Sequence, residues 1–352
     1  MNRIENLQAL RGIAALGVMA FHVAGQLDAR LHVEGAAGWC TFGRYGVDLF
    51  FVISGVILTL TTRSSHQKPA ASARFIYLRL SRIYPPYWLY TLMVFAVTVY
   101  FPGVFEPRPT SLLKSFFLMP QRALPLVVVG WTLVYELYFY LAFSVFLCLK
   151  RRHLPLALSG WAAATLIGNL ATSANQASLP AAASVMIFPY AFEFICGCLA
   201  GLALSPDELR SPFLAPSAAA VGVMILIGQF ADNATASLWR QVALLGVPFA
   251  VLTYACIGLE YRGALLMPRA LRFLGAISYS LYLSHVFVLA AVSAAFGALG
   301  ARSWPGVAIG YAIAAAAASM CAGWIGYRFF ELPCLALFRR ALPEAVRKMR
   351  AG

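Results

Sequence analysis

Arg11 and His22 both stand inside the first apolar segment of the chain, LQALRGIAALGVMAFHVAGQL. Their spacing is close to three turns at about 3.6 residues per turn, so both fall on one helical stripe, roughly 16 Å apart at about 1.5 Å per residue. Even on the lenient insertion scale, an Arg at the centre of a membrane helix costs about 2.5–3.5 kcal/mol. Two such groups on one face predict a polar cavity inside a helix bundle. An intramembrane His there can act as a general base, relay a proton, or be a satisfied core residue.

Other residues could join them. Arg79 and Arg82, in RLSRIYPPYW, are neighbours on a helix surface. Paired guanidinium groups suit phosphate, since each offers two parallel donors; topology signalling and lipid headgroups explain them as well. Glu136, in WTLVYELYFY, lies at a depth close to that of His22. It could orient His22, stabilise its imidazolium form, or bind an acceptor hydroxyl. Trp131, Tyr135 and Tyr138 of the same segment suit sugar stacking or an interfacial aromatic belt. In GRYGVDLFFVISG, Asp48 is a cap or a partner for His22 or Arg44, and Ser54 beside Gly55 reads first as packing. In SYSLYLSHVF, Ser278, Tyr279, Tyr282 and His285 roughly share one face. Glu193 is a further costly carboxylate in mid-span. Glu331, in FFELP, reads as structural, snorkelling or pairing with Arg328. No metal site is expected, because Cys196 and Cys198 point to different helix faces.

The elements that must position these residues follow from composition. The 352 residues are 61% hydrophobic and 11% charged, against about 25% charged in soluble proteins. The fold class is all-α, a polytopic membrane protein with about ten transmembrane helices. The apolar stretches are 7–28, 43–62, 83–102, 130–149, 154–171, 182–204, 213–230, 239–260, 271–298 and 304–328. Residues 1–335 form one transmembrane domain, and 336–352 form a basic tail suited to anionic lipid. The net charge of +14 does not imply nucleic acid. Most of the 27 basic residues fall on alternate connections and the tail, which places both termini in the cytoplasm. Between the second and third spans, the basic ARFIYLRLSRIYPPY is expected as a helix lying along the inner surface, ended by Pro85-Pro86. Residues 102–130 are expected to fold over the outer mouth.

Taken in order, LQALRGIAALGVMAFH, YGVDLFFVISG, RLSRIYPPYW, WTLVYELYFY, ISYSLYLSH and FFELP resemble the membrane-bound acyltransferase family 3. These are the bacterial exopolysaccharide and O-antigen O-acetyltransferases, and the resemblance runs from residue 6 to about 335. It implies transfer of an acetyl or similar short acyl group from acyl-CoA to a hydroxyl of a surface polysaccharide or lipid-linked glycan. The family's essential His corresponds to His22, and its companion Arg to Arg11. Its Arg-x-x-Arg pair, Arg79 and Arg82, is implied near the phosphates of acyl-CoA. Its Trp-Ser-Leu-x-x-Glu segment maps onto Trp131 to Glu136, with Thr132 in place of Ser. His22 and Glu136 are then the catalytic candidates. Arg11, Arg79, Arg82, Asp48, Ser54, Trp131, Tyr279 and His285 are the substrate-binding ones. The resemblance implies no permanently bound cofactor, with acetyl-CoA as donor substrate, and the bacterial inner membrane as location. The rival class is a proton-coupled transporter, or a transmembrane acyl carrier without transferase activity, for which intramembrane His, Glu and Arg are equally natural.

Overall fold

The computed structural model describes residues 4–101, 109–172, 178–204, 216–223, 238–298 and 305–341. Helices are α1 (Glu5–Leu31), α2 (Gly46–Thr61), α3 (Pro69–Tyr100), α4 (Trp131–Phe146), α5 (Leu154–Thr172), α6 (Tyr190–Ala203), α7 (Leu238–Tyr261), α8 (Arg269–Ala298), α9 (Pro305–Gly326) and α10 (Leu332–Arg340). No strand occurs among the described residues. Eight helical stretches among them are long and apolar enough to cross a membrane. The expected third span lies in α3, whose Tyr, Pro and Trp residues make it less apolar. The expected seventh falls largely outside the described residues, as does most of the basic tail.

Two pairs of parallel helices form the centre, and in both the backbones touch. A Cβ added at Gly12 of α1 would sit 2.3 Å from the Leu271 carbonyl oxygen of α8, and one at Gly275 would sit 1.7 Å from that of Gln8. Only glycine permits this approach, the usual small-residue solution where lipid gives helices no hydrophobic reason to associate. The α2–α6 pair repeats it: a Cβ at Gly197 would lie 2.0 Å from the Val52 carbonyl, and one at Gly55 2.2 Å from that of Phe194.

The start of α1 is fixed by side chains from elsewhere. Its first N–H groups have no intrahelical partner, and no side chain of the preceding residue caps them. The Glu260 carboxylate at the end of α7 accepts from Glu5 N at 2.8 Å and Asn6 N at 2.6 Å, where the helix dipole also favours an anion. The fully buried Asn6 side chain donates to the Cys256 and Leu265 carbonyls, both at 2.9 Å, and accepts from Met267 N at 2.8 Å. Arg272 pairs with Glu5 at 3.1 Å. These bonds fix α1 against α7 and α8.

One expectation is corrected. The basic segment before the third span is not a separate surface helix: α3 runs unbroken from Pro69 to Tyr100 through Pro85 and Pro86. Two adjacent prolines remove only two N–H groups and already hold a helical φ; in a packed bundle the freed carbonyls are re-satisfied locally. The segment after α3 packs back on that helix. In its described part, Tyr84 and Tyr87 donate to the carbonyls of Phe117 and Ser115, both at 2.8 Å, and Trp88 donates to Phe116 at 3.0 Å. Tyr87 lies about 20 Å back from the end of α3 at about 1.5 Å per residue. The short helix Leu112–Phe116 is therefore tied back against the middle of α3, the carbonyls at its end satisfied by the aromatic side chains of YPPYW.

Candidate active site

A cavity lies between α1, α2, α3, α4 and α8. Its polar lining comprises Arg11, Ser54, Arg79, Arg82, Thr132, Glu136, Tyr140, Ser278, Tyr279 and Tyr282. Arg11, Ser54, Arg79, Arg82, Glu136 and Tyr279 were expected from sequence, and five helices bring them to one wall-to-wall space. The three-residue spacing of Arg79 and Arg82 turns both inward from α3. Arg79 is held over the rings of Tyr140 at 5.5 Å and Phe75 at 5.6 Å, a cation–π cradle that orients it without neutralising it. Its Nη2 also lies 3.4 Å from Thr61 Oγ1, and Arg11 Nη1 lies 3.4 Å from Gln8 Oε1. Among the described residues no carboxylate lies within ion-pair distance of any of the three guanidinium groups; the Arg272–Glu5 pair stands elsewhere. The cavity therefore carries unspent positive charge, as an anion site should.

Two carboxylates temper that charge from a distance. Glu136 accepts from Ser54 Oγ at 3.2 Å and from the Tyr140 hydroxyl. It makes no hydrogen bond to His22 among the described residues. Tyr140 was missed from sequence, although its position four residues after Glu136 on one helix was the available signal. Glu331 is also differently placed than expected: it is 3% exposed and accepts from Ser280 Oγ at 2.6 Å. A π-helical turn over Tyr327–Glu331 changes the side-chain register there. It thus faces the bundle, within the field of Arg82 and Arg11, and does not snorkel toward Arg328.

Tyr282 closes one side of the cavity. Its hydroxyl lies 2.9 Å from Thr132 Oγ1 and donates to the Val129 carbonyl at 3.0 Å, and its ring is 6.2 Å from Phe50. Thr132 makes this contact through the hydroxyl it shares with Ser. Behind Tyr282, at 5.9 Å between rings, stands His285, and His285 Nε2 lies 3.2 Å from His22 Nδ1. Neither His lines the cavity; His285 is buried and His22 half-buried. The pairing follows from the helix register, because Gly12 and His22 have the same spacing on α1 as Gly275 and His285 on α8.

Asp48 and Trp131 stand outside this cavity. Asp48 is 2% exposed and faces Glu193 across the α2–α6 contact. Trp131 packs in an aromatic cluster with Tyr135 at 5.9 Å and Tyr190 at 5.6 Å. Among the described residues no group of His, Cys, Asp and Glu is arranged to hold a metal ion.

A family model described as an acyltransferase domain, Acyl_transf_3, matches residues 4–328. The chain belongs to this acyltransferase family. It is 29% identical over 274 residues to the exopolysaccharide production protein ExoZ of Rhizobium meliloti, covering 74% of this chain and 81% of that one. It is 28% identical over 387 residues to the acyltransferase MdmB of Streptomyces mycarofaciens, covering 97% and 94%. Against the peptidoglycan O-acetyltransferase OatA of Listeria monocytogenes it is 23% identical over 365 residues, covering 94% of this chain and 55% of that protein. No solved structure matches. A membrane-embedded acyltransferase accounts for the apolar helices.

Proposed function

We propose that this acyltransferase moves an acetyl or similar short acyl group from acyl-CoA to a hydroxyl of a surface polysaccharide or lipid-linked glycan. In this reading it works in the bacterial inner membrane with its arginine-rich end and both termini in the cytoplasm. The observation that carries the reading is the set of three guanidinium groups, with no carboxylate in ion-pair distance among the described residues, lining one cavity whose Tyr282 side abuts His285, the partner of His22. Arg79, Arg82 and Arg11 bind the phosphates of the donor. Glu136, kept as an acceptor by Ser54 and Tyr140, receives N–H groups of the pantetheine arm, and Tyr279 lines its path. The thioester reaches the Tyr282 side of the cavity. His22 takes the proton of the acceptor hydroxyl as that oxygen attacks the thioester carbonyl. The C–S bond then breaks, the leaving thiolate takes the proton back from His22, and the products are the ester and free CoA. A base so placed contributes about 10²–10⁴-fold. The aromatic cluster of Trp131, Tyr135 and Tyr190 suits the acceptor sugar, whose apolar faces stack on such rings.

The test is NMR of surface polysaccharide from cells carrying the wild type, His22→Ala or no protein, with membrane levels of both proteins measured alongside. Acyl esters that appear with the wild type and vanish with folded His22→Ala support the reading. Identical spectra from all three strains overturn it for glycan acceptors in that host. Purified protein supplied with acyl-CoA then separates a transferase from a transporter, since only the former yields free CoA and acylated acceptor.

A further inference from the structure

We infer that His285 is a positioning residue for His22, fixing the tautomer that leaves the lone pair on His22 Nε2 as the base. This rests on the reading of His22 as the base. A backbone carbonyl oxygen only accepts hydrogen bonds. His285 Nδ1 lies 3.2 Å from the Leu281 carbonyl, so that nitrogen carries the proton of the neutral ring, and His285 Nε2 is left as an acceptor. His22 Nδ1 faces two acceptors at once: the Val18 carbonyl at 2.9 Å and His285 Nε2 at 3.2 Å. A lone pair there would be opposed to both, so His22 carries its proton on Nδ1. Its Nε2, which has no hydrogen-bond partner among the described residues, then holds the free lone pair.

The arrangement survives the reaction. When His22 takes up a proton on Nε2, its Nδ1–H still donates to Val18 and His285, and the His285 lone pair faces the positive ring. This is the role that a third group plays for many catalytic histidines, here filled by a second imidazole. No carboxylate hydrogen-bonds to either ring among the described residues. Tyr282, the other ionisable side chain in contact with His285, is engaged with Thr132 and the Val129 carbonyl.

Two measurements test this. In ¹⁵N-histidine-labelled wild-type protein, with resonances assigned by His22→Asn and His285→Asn, the nitrogen shifts should show a protonated Nδ1 and a bare Nε2 on His22. The opposite tautomer overturns the inference. In purified protein, His285→Leu removes the acceptor while keeping bulk, and His285→Gln returns an acceptor oxygen toward His22 Nδ1. We expect His285→Leu to lower kcat about 10- to 100-fold, part of the contribution of a positioned base. The KM for acyl-CoA should hold, and His285→Gln should recover most of kcat. A His285→Leu enzyme with wild-type kcat, or a His285→Gln enzyme as slow as His285→Leu, overturns it. A fully active His22→Ala enzyme sinks the base reading itself. An inactive His22→Ala beside an unimpaired His285→Leu sinks only the positioning role.

Discussion

The α1–α8 and α2–α6 contacts are built the same way and end in opposite chemistry. In each, parallel helices touch at glycines, and in each the fixed register brings two like ionisable residues face to face. Along α1 and α8 these are His22 and His285; along α2 and α6 they are Asp48 and Glu193. An imidazole is donor and acceptor at once, so two of them satisfy each other and two helix carbonyls with no outside help. Carboxyl groups offer oxygen alone, so two can satisfy each other only by sharing a proton, and Glu193 is fully buried facing Asp48. The histidine pair adjoins the cavity through Tyr282, whereas the acidic pair lies outside the cavity lining. Close glycine packing therefore sets which residues meet, while side-chain chemistry and the neighbouring cavity set what the meeting can do.

The widest gap between the two contacts should appear on deleting a member of each pair. His22→Ala is expected to cut acyl transfer by about 10²–10⁴-fold, measured as ester formed per milligram of folded enzyme; an undiminished rate would make the histidine contact as passive as the acidic one. On the cavity side, Arg79→Ala or Arg82→Ala should raise the KM for acyl-CoA by about 10- to 100-fold, the loss of a charge-assisted hydrogen bond worth about 1.5–3 kcal/mol. Steady-state kinetics with varied donor would reveal this, and an unchanged KM would move the donor out of the cavity.

The glycines test the packing half of the comparison. Gly275→Ala and Gly197→Ala each drive a methyl group into a backbone carbonyl, and overpacking of this kind costs about 1–3 kcal/mol. Thermal melts of the purified variants should fall for both. Activity per folded molecule should fall only for Gly275→Ala, because only there does separating the helices part the histidines. Equal losses in the two would give the acidic contact a share in the reaction. The smallest effect is expected from Glu193→Gln, which replaces one of two facing carboxyl groups with a neutral isostere of the same shape. Activity should hold and the melting temperature should hold or rise, since the amide keeps the shape of the side chain and can donate to the facing Asp48. A large fall in turnover would show that the carboxyl pair works in the reaction.

Much of this was readable along the chain. Arg79 and Arg82 announce themselves by a spacing that is local to one helix, and Arg11 and His22 by the cost of placing them in an apolar segment. Other roles were invisible for reasons of distance. Glu136 was expected beside His22 because their depths match, but depth fixes height and not which helix face looks where; the rotation of α4 gives Glu136 to Ser54 and Tyr140. Asn6 and Glu260 look unremarkable in sequence, being 254 residues apart, and become the anchor of α1 only when α7 ends beside it. The π-helical turn that swings Glu331 inward leaves no mark in the hydrophobic pattern.

The sequence by itself determined that this is an all-α membrane protein, that arginines and a histidine stand within its apolar segments, and that its ordered motifs are those of an acyltransferase. The first two follow from residue type and from periodicity along one helix, and the third from the resemblance of the motifs to that family; none needs knowledge of neighbours. Only the tertiary structure decided that His22 meets His285, that three arginines share one cavity, and that Asp48 lies away from it. Those outcomes depend on the rotation and register of separate helices, which backbone contacts at Gly12, Gly275, Gly55 and Gly197 fix.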